Sequence, residues 1–264
     1  MVKEVFKLKL AGQNAIVTGG GSGIGKAIAQ RFSVEGANVA ILDLNESGLN
    51  SVASEVGMSG GRALKYKCDV TNAKEVQMVF SDISNSFGGI DILVNSAGIE
   101  IVAEVEEMDE ADWDRQIDVN LKSMFLCSKY AVPLMRKKSG GSVVNISSVL
   151  GVVVAPKHSA YCASKGAVLQ FTKALGFDHA KDQIRVNCIL PGPIDTPLYR
   201  NTIAAYGDAE AAHLQQVRAV PLHRIGTPDD VAKAAVFLCS EDASFITCAS
   251  LVVDGGFTAS NITM

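Results

Sequence analysis

Residues 15–32 read AIVTGGGSGIGKAIAQRF. The apolar run 15–17 has the look of a buried strand, and residues 23–32 that of a helix with Ile24, Ile28 and Phe32 on one face. The glycines therefore fall at a strand-to-helix turn. Gly19, Gly23 and Gly25 give the spacing G-x-x-x-G-x-G, a relative of the dinucleotide fingerprint, in which missing side chains allow a tight turn and close approach of backbone to a pyrophosphate. The helix start at Ser22, Gly23 and Ile24 would offer its free N–H groups and partial positive charge to those phosphates.

Working outward, a second apolar strand at 39–42 ends in Asp43. A carboxylate at that place accepts hydrogen bonds from adenosine ribose hydroxyls and repels a 2′-phosphate, so it points to NAD rather than NADP. Neither Ser22 nor Leu44 supplies a basic partner for an extra phosphate. Further strand-like runs at 63–68, 92–95, 142–147, 184–190 and 250–253 alternate with helix-like stretches near 47–56, 73–87, 110–136, 160–180 and 229–238. Near-continuous apolar strands alternating with helices predict an α/β, doubly wound Rossmann-type fold: a seven-stranded parallel sheet with helices on both faces and right-handed crossovers. Ligands in such sheets sit beyond the carboxyl ends of the strands, where Gly19, Asp43, Asp69, Asn95, Ser148 and Pro191 fall. The tidy alternation breaks at 193–221, a long connection with one or two short helices that reads as a lid over the site.

Tyr161 and Lys165 stand four apart at the start of a helical stretch, so their side chains leave one face, one turn apart. An ammonium beside a phenol favours the phenolate and makes Tyr161 a candidate acid or base near neutral pH. Composition restricts the alternatives. The chain has 264 residues, 24 lysines and arginines against 28 acidic residues, and a net charge of -4 without a basic block, which argues against nucleic acid as a partner. No apolar stretch approaches a membrane span, and the N-terminus lacks a signal-peptide pattern, so a cytoplasmic protein is expected. The six cysteines form no C-x-x-C pair and read as reduced, buried thiols. Four scattered histidines give no metal-ligand spacing, so no metal is expected. Sequons at Asn45, Asn145 and Asn261 carry little weight in such a chain.

These residues resemble the short-chain dehydrogenase/reductase family, in its compact single-domain branch, over about residues 10–258. The resemblance is carried by TGGGSGIG at 18–25, Asp69 and Val70, NSAG at 95–98, VNL around Asn120, ISS ending at Ser148, YCASK at 161–165, RVNCILPGPIDT at 185–196 and VDGG at 253–256. It implies one domain over 1–264 and transfer of a hydride between a secondary alcohol and NAD. Tyr161 would serve as general acid/base, and Lys165 would lower its pKa and bind the nicotinamide ribose. Ser148 would hold the substrate oxygen, while Asn120 would keep a water in line with Lys165. The same resemblance places Asp69 and Val70 near the adenine, and Asn95, Ala97 and Gly98 along its ribose and the central strand. Pro191 and Gly192 would pass beside the nicotinamide, with Ile194 and Thr196 holding its carboxamide. Ser96 departs from the family's common N-N-A-G.

Candidate walls for a small-molecule alcohol or ketone are Glu100, Leu150, His158, Leu198 and Tyr199, besides Ser148 and Tyr161. Glu100 reads either as a hydroxyl binder or a solvated loop charge, and His158 either as a pocket group or, more commonly at such a place, a solvated helix start. The mixture suits a cyclic alcohol, sugar or polyol. Two other classes stand beside this reading: a ketoreductase acting on carrier-bound acyl chains, which Asp43 disfavours, and a regulator that binds NAD without turnover, which would be expected to lack part of the catalytic set. Surplus apolar residues such as Met124, Phe125, Val168, Leu169 and Phe171 on the helices 110–136 and 160–180, with the C-terminal segment, predict a homo-oligomer, most simply a tetramer.

Overall fold

A computed structural model describes residues 8–58 and 60–259. Seven parallel strands, β1 Asn14–Thr18, β2 Asn38–Asp43, β3 Ala63–Lys67, β4 Ile92–Asn95, β5 Gly141–Ile146, β6 Ile184–Pro191 and β7 Ser250–Val253, form one sheet in the order β3-β2-β1-β4-β5-β6-β7. The chain winds outward from β1 to β3, then restarts on the other side of β1 at β4. That reversal opens a crevice at the carboxyl ends of β1 and β4.

The strands sort their side chains by the two-residue period of a pleated sheet. Ala15 and Val17 of β1 join a core with Ile28, Phe32, Val231 and Ala235, beneath α1 Gly23–Val34 and α9 Pro228–Cys239. Ile16 faces the other way, into Phe80, Ile83, Cys127 and Met135, beneath α3 Ala73–Phe87 and α5 Ser123–Lys137. Helices on both faces are thus a direct consequence of central strands such as β1 and β4, which are buried on both faces. At the edge, β3 carries Lys65 and Lys67, charges that blunt an unpaired strand. Helix ends follow local chemistry: Asn72 caps α3 by accepting from the amides of Lys74 and Glu75, and Gly88 closes it in the left-handed region.

The expected elements recur with bounds shifted by one or two residues, with one substantive exception. The helix expected over 110–136 consists of α4 Glu110–Ile117, a π-helical turn Asp118–Lys122 and α5. Asn120 in that turn bonds both backbone groups of Ile99, and the local widening carries it to them. After α6 Ser159–His179 and β6, the long connection folds as α7 Pro197–Ala204 and α8 Ala209–Ala219. The helices α2 Glu46–Met58 and α9 complete the layers. Met124 and Val168, expected among the surplus apolar surface, are buried against the chain's own core. Phe125, also expected there, is exposed, as is Phe177 on α6. The end of the C-terminal segment and the sequon at Asn261 lie outside the described residues.

Candidate active site

The turn after β1 fits a phosphate cradle. Gly19 has φ +64°, and a Cβ there would lie 2.8 Å from the Ala97 Cα; one on Gly25 would lie 2.2 Å from the Gly19 carbonyl oxygen. Only glycine meets both demands. Ser22 is the extended N-cap of α1, its side chain makes no capping bond, and the first turn of α1 has no acidic residue. Its amides and positive helix end therefore face outward for an anion. Asp43, at the end of β2, accepts from the Gly21 amide at 2.9 Å and from the Asn45 amide at 2.9 Å, which holds the carboxylate against the glycine turn. Leu44 beside it is exposed. Asp69 is bent back by the Thr71 amide and hydroxyl, and Val70 is buried.

Beyond β4, the Thr18 hydroxyl accepts from the amides of Ser96 and Ala97, which fixes the loop carrying Gly98. The Asn95 amide donates to Asn145 at 2.8 Å, and Asn145 in turn donates to Thr172, so this side chain is turned into the sheet. Ser96 and Gly98 line the cavity beside it. Asn120 is fully buried; its carbonyl takes the Ile99 amide at 2.8 Å, and its amide reaches the Ile99 carbonyl and the Ser164 hydroxyl. A Cβ on Gly98 would lie 3.4 Å from the Asn120 carbonyl oxygen and 3.5 Å from the Lys165 ammonium, so the two approach one another across a glycine.

A cavity of about 410 Å³ opens at this crevice. It brings together the turn 22–25, Gly98, Glu100, the run from Ser148 to Leu150, His158, Tyr161 and Lys165, the stretch from Pro191 to Ile194, Thr196, and Leu198 and Tyr199 of α7. Asp43, Leu44, Asp69 and Val70 lie outside it, around the carboxyl ends of β2 and β3. Thr196 caps α7 by accepting from the Tyr199 amide at 3.1 Å, which leaves its own proton free to donate. Its methyl lies near the α1 turn, since a Cβ on Gly23 would be 3.4 Å away.

The catalytic candidates meet on the cavity floor. Ser148 starts a short 3-10 turn, Val149–Gly151, by accepting from the Leu150 amide at 3.1 Å, and it lines the cavity together with Tyr161. The Lys165 ammonium donates to the Ile146 carbonyl at 3.0 Å and lies 5.6 Å from the Tyr161 ring centre. The electrostatics correct one expectation. Burial, followed by the charge of Glu100, pushes the Tyr161 phenol well above its ordinary range, while the Ser148 hydroxyl works the other way. Burial also lowers Lys165 to about 8. Desolvation is the largest influence on each of the two groups.

For two of the wall candidates, the pocket reading is the one that the geometry matches. His158 is not a solvated helix start: it is 3% exposed, with Nδ1 2.5 Å from the Pro156 carbonyl and Nε2 3.2 Å from Glu100. Glu100 is likewise nearly buried. Thr202, three residues after Tyr199 on the same face of α7, donates to Glu100 and was not singled out in the sequence. Its helical spacing from Tyr199 is the signal that marks it. Among the described residues no group of three His, Cys, Asp or Glu could hold a metal, and no helix is long and apolar enough to cross a membrane.

A family model described as Enoyl-(Acyl carrier protein) reductase matches residues 19–258. The chain is 38% identical over 250 residues to 2,5-dichloro-2,5-cyclohexadiene-1,4-diol dehydrogenase LinX of Sphingobium indicum, spanning 95% of this chain and 98% of that one. It is 39% identical over 254 residues to D-threitol dehydrogenase of Mycolicibacterium smegmatis, spanning 96% and 95%. A short-chain type dehydrogenase/reductase from Mycobacterium marinum has a solved structure with a TM-score of 0.90 and 34% identity, covering 96% of this chain and 98% of that one.

Proposed function

The chain belongs to the short-chain dehydrogenase/reductase family of oxidoreductases, which use nicotinamide cofactors, and from that premise we propose that it interconverts a secondary alcohol and its ketone with NAD. The observation that carries the reading is the convergence of Ser148, Tyr161 and Lys165 on one cavity floor next to the glycine turn. A regulator without turnover has no use for that convergence. The cradle of Gly19 and Gly25 and the open start of α1 would hold the pyrophosphate, with Asp43 at the adenosine ribose. When bound, the oxidised cofactor supplies a hydride acceptor whose positive ring also favours ionisation nearby.

In oxidation, Tyr161 takes the hydroxyl proton of the substrate at its phenol oxygen. Ser148 donates to the developing alkoxide, and Lys165 stabilises the phenolate by its charge. Asn120, beside Lys165, keeps the water through which the proton leaves. In reduction Tyr161 returns the proton. The substrate class is a cyclic alcohol, sugar or polyol, as the diol and threitol dehydrogenases among the relatives also suggest. The protein works in the cytoplasm as a homotetramer, and α7 and α8 cover the substrate.

A panel of secondary alcohols assayed with NAD and NADP, read as reduced nicotinamide, tests this. NAD is expected to be used more efficiently, and Asp43→Ala to weaken NAD by about ten- to a hundred-fold, the worth of hydrogen bonds to a charged group. More efficient use of NADP would show that the Asp43 reading is wrong.

A further inference from the structure

Besides the catalytic floor, the cavity holds one more charged cluster, Glu100 with His158, and the proton positions on it can be worked out. The Pro156 carbonyl can only accept, so His158 Nδ1 carries a proton. An ionised Glu100 also only accepts, so Nε2 carries one as well. With Glu100 ionised, the contact is that of an imidazolium with a carboxylate. Burial, the largest single influence on His158, acts against that charge, but the bonds to Glu100 and Pro156 and the charge of Glu100 outweigh it. His158 packs edge-on against the Tyr161 ring, 6.4 Å between centres, so the pair lies beside the catalytic phenol.

The other oxygen of Glu100 accepts from Thr202 of α7. A carboxylate has about four acceptor positions, so two remain, on a side chain that lines the cavity and is otherwise nearly sealed. A substrate seated over Tyr161 must therefore either bring a donor to Glu100 or strip water from a charge without replacing it. A carboxylate, sulfonate or phosphate group would meet like charge there. Among the described lining residues the only cations are His158 and Lys165, and both are already engaged, on Glu100 and on the Ile146 carbonyl.

Resting on the alcohol-oxidoreductase reading above, we propose that Glu100, held in place by His158, reads a second hydroxyl on the substrate, which restricts the enzyme to uncharged polyhydroxy alcohols and excludes anionic ones. The site thus has two oxygen-recognising ends: Ser148 and Tyr161 at the carbinol that reacts, Glu100 at a hydroxyl that does not.

The test is kcat/KM of the full chain with NAD, and with NADP as a control, on cis-1,2-cyclohexanediol against cyclohexanol, with 3-hydroxybutanoate as the anionic probe. The wild type is expected to favour the diol by about ten- to a hundred-fold and to reject the anion. Glu100→Gln should shrink that ratio and Glu100→Leu bring it near one. If neither variant folds, the wild-type ratio still decides. A wild type that uses diol and mono-alcohol alike, or a preference that survives Glu100→Leu, overturns this inference while leaving the alcohol chemistry standing. No oxidation of any alcohol with either cofactor overturns the alcohol reading and this inference with it.

Discussion

In the proposed mechanism, Lys165 is asked for opposite things by catalysis and by burial. Its charge is needed beside Tyr161, yet it is 4% exposed with a single carbonyl as its recorded hydrogen-bond partner. Its pKa falls from 10.5 to about 8, with burial as the first cause. A folded value below the unfolded one means that near neutral pH both states are charged and the fold bears the desolvation cost. As pH rises from about 8 toward 10.5 the folded state releases its proton first, so that cost fades and stability rises relative to a chain without the group. At ~1.36 kcal/mol per pH unit the whole interval is worth roughly 3 kcal/mol. Lys165→Met removes the titration but keeps the bulk. Urea unfolding of both proteins should show the variant losing up to about 3 kcal/mol of stability relative to wild type between neutral and strongly alkaline pH. A stability gap that stays constant with pH would mean that Lys165 titrates as an ordinary lysine.

What was legible at the scale of elements follows how local the determining contacts are. The turn at residues 18–25 could be read because strand period, helix period and glycine spacing all lie within one short stretch, and α3 fell where its helix-like stretch put it. The π-helical turn at Asp118–Lys122 was not legible, because its cause is the engagement of Asn120 with Ile99 on another segment. Which of its two readings His158 takes was not legible for the same reason. Its surroundings in sequence look polar, and only the fold brings Glu100 of the β4 loop against it. That Ser148, Tyr161 and Lys165 belong together was legible as residue types and order, but the rise of the Tyr161 phenol was not, since burial is a property of the packed cavity rather than of the Y-x-x-x-K spacing. In the connection 193–221, one or two short helices were expected and two are present, while the Thr202 contact to Glu100 ties α7 to the pocket wall in a way no local pattern records.

On the scale of the whole molecule, the apolar surface that the sheet does not use is the remaining question. Phe177 on α6 is 82% exposed and Phe125 on α5 is 48% exposed, while Phe245 and Val252 lie open near β7. Exposed apolar side chains on α5, on α6 and beside β7 suit a symmetric homo-oligomer, and the expectation is a tetramer. Sedimentation at micromolar concentration should give a tetramer mass, and Phe177→Asp should lower it; a single species of monomer mass would show that these side chains have no partner. None of this matters to function unless Tyr161 is the proton-transferring group, and Tyr161→Phe tests that most directly. Turnover of an accepted alcohol and affinity for NADH are measured on the same preparation. The expected result is a fall in kcat of at least ~10²-fold with NADH affinity held within a few-fold, because general acid/base catalysis is removed while the ring still packs. Turnover near that of the wild type would contradict the mechanism at its centre.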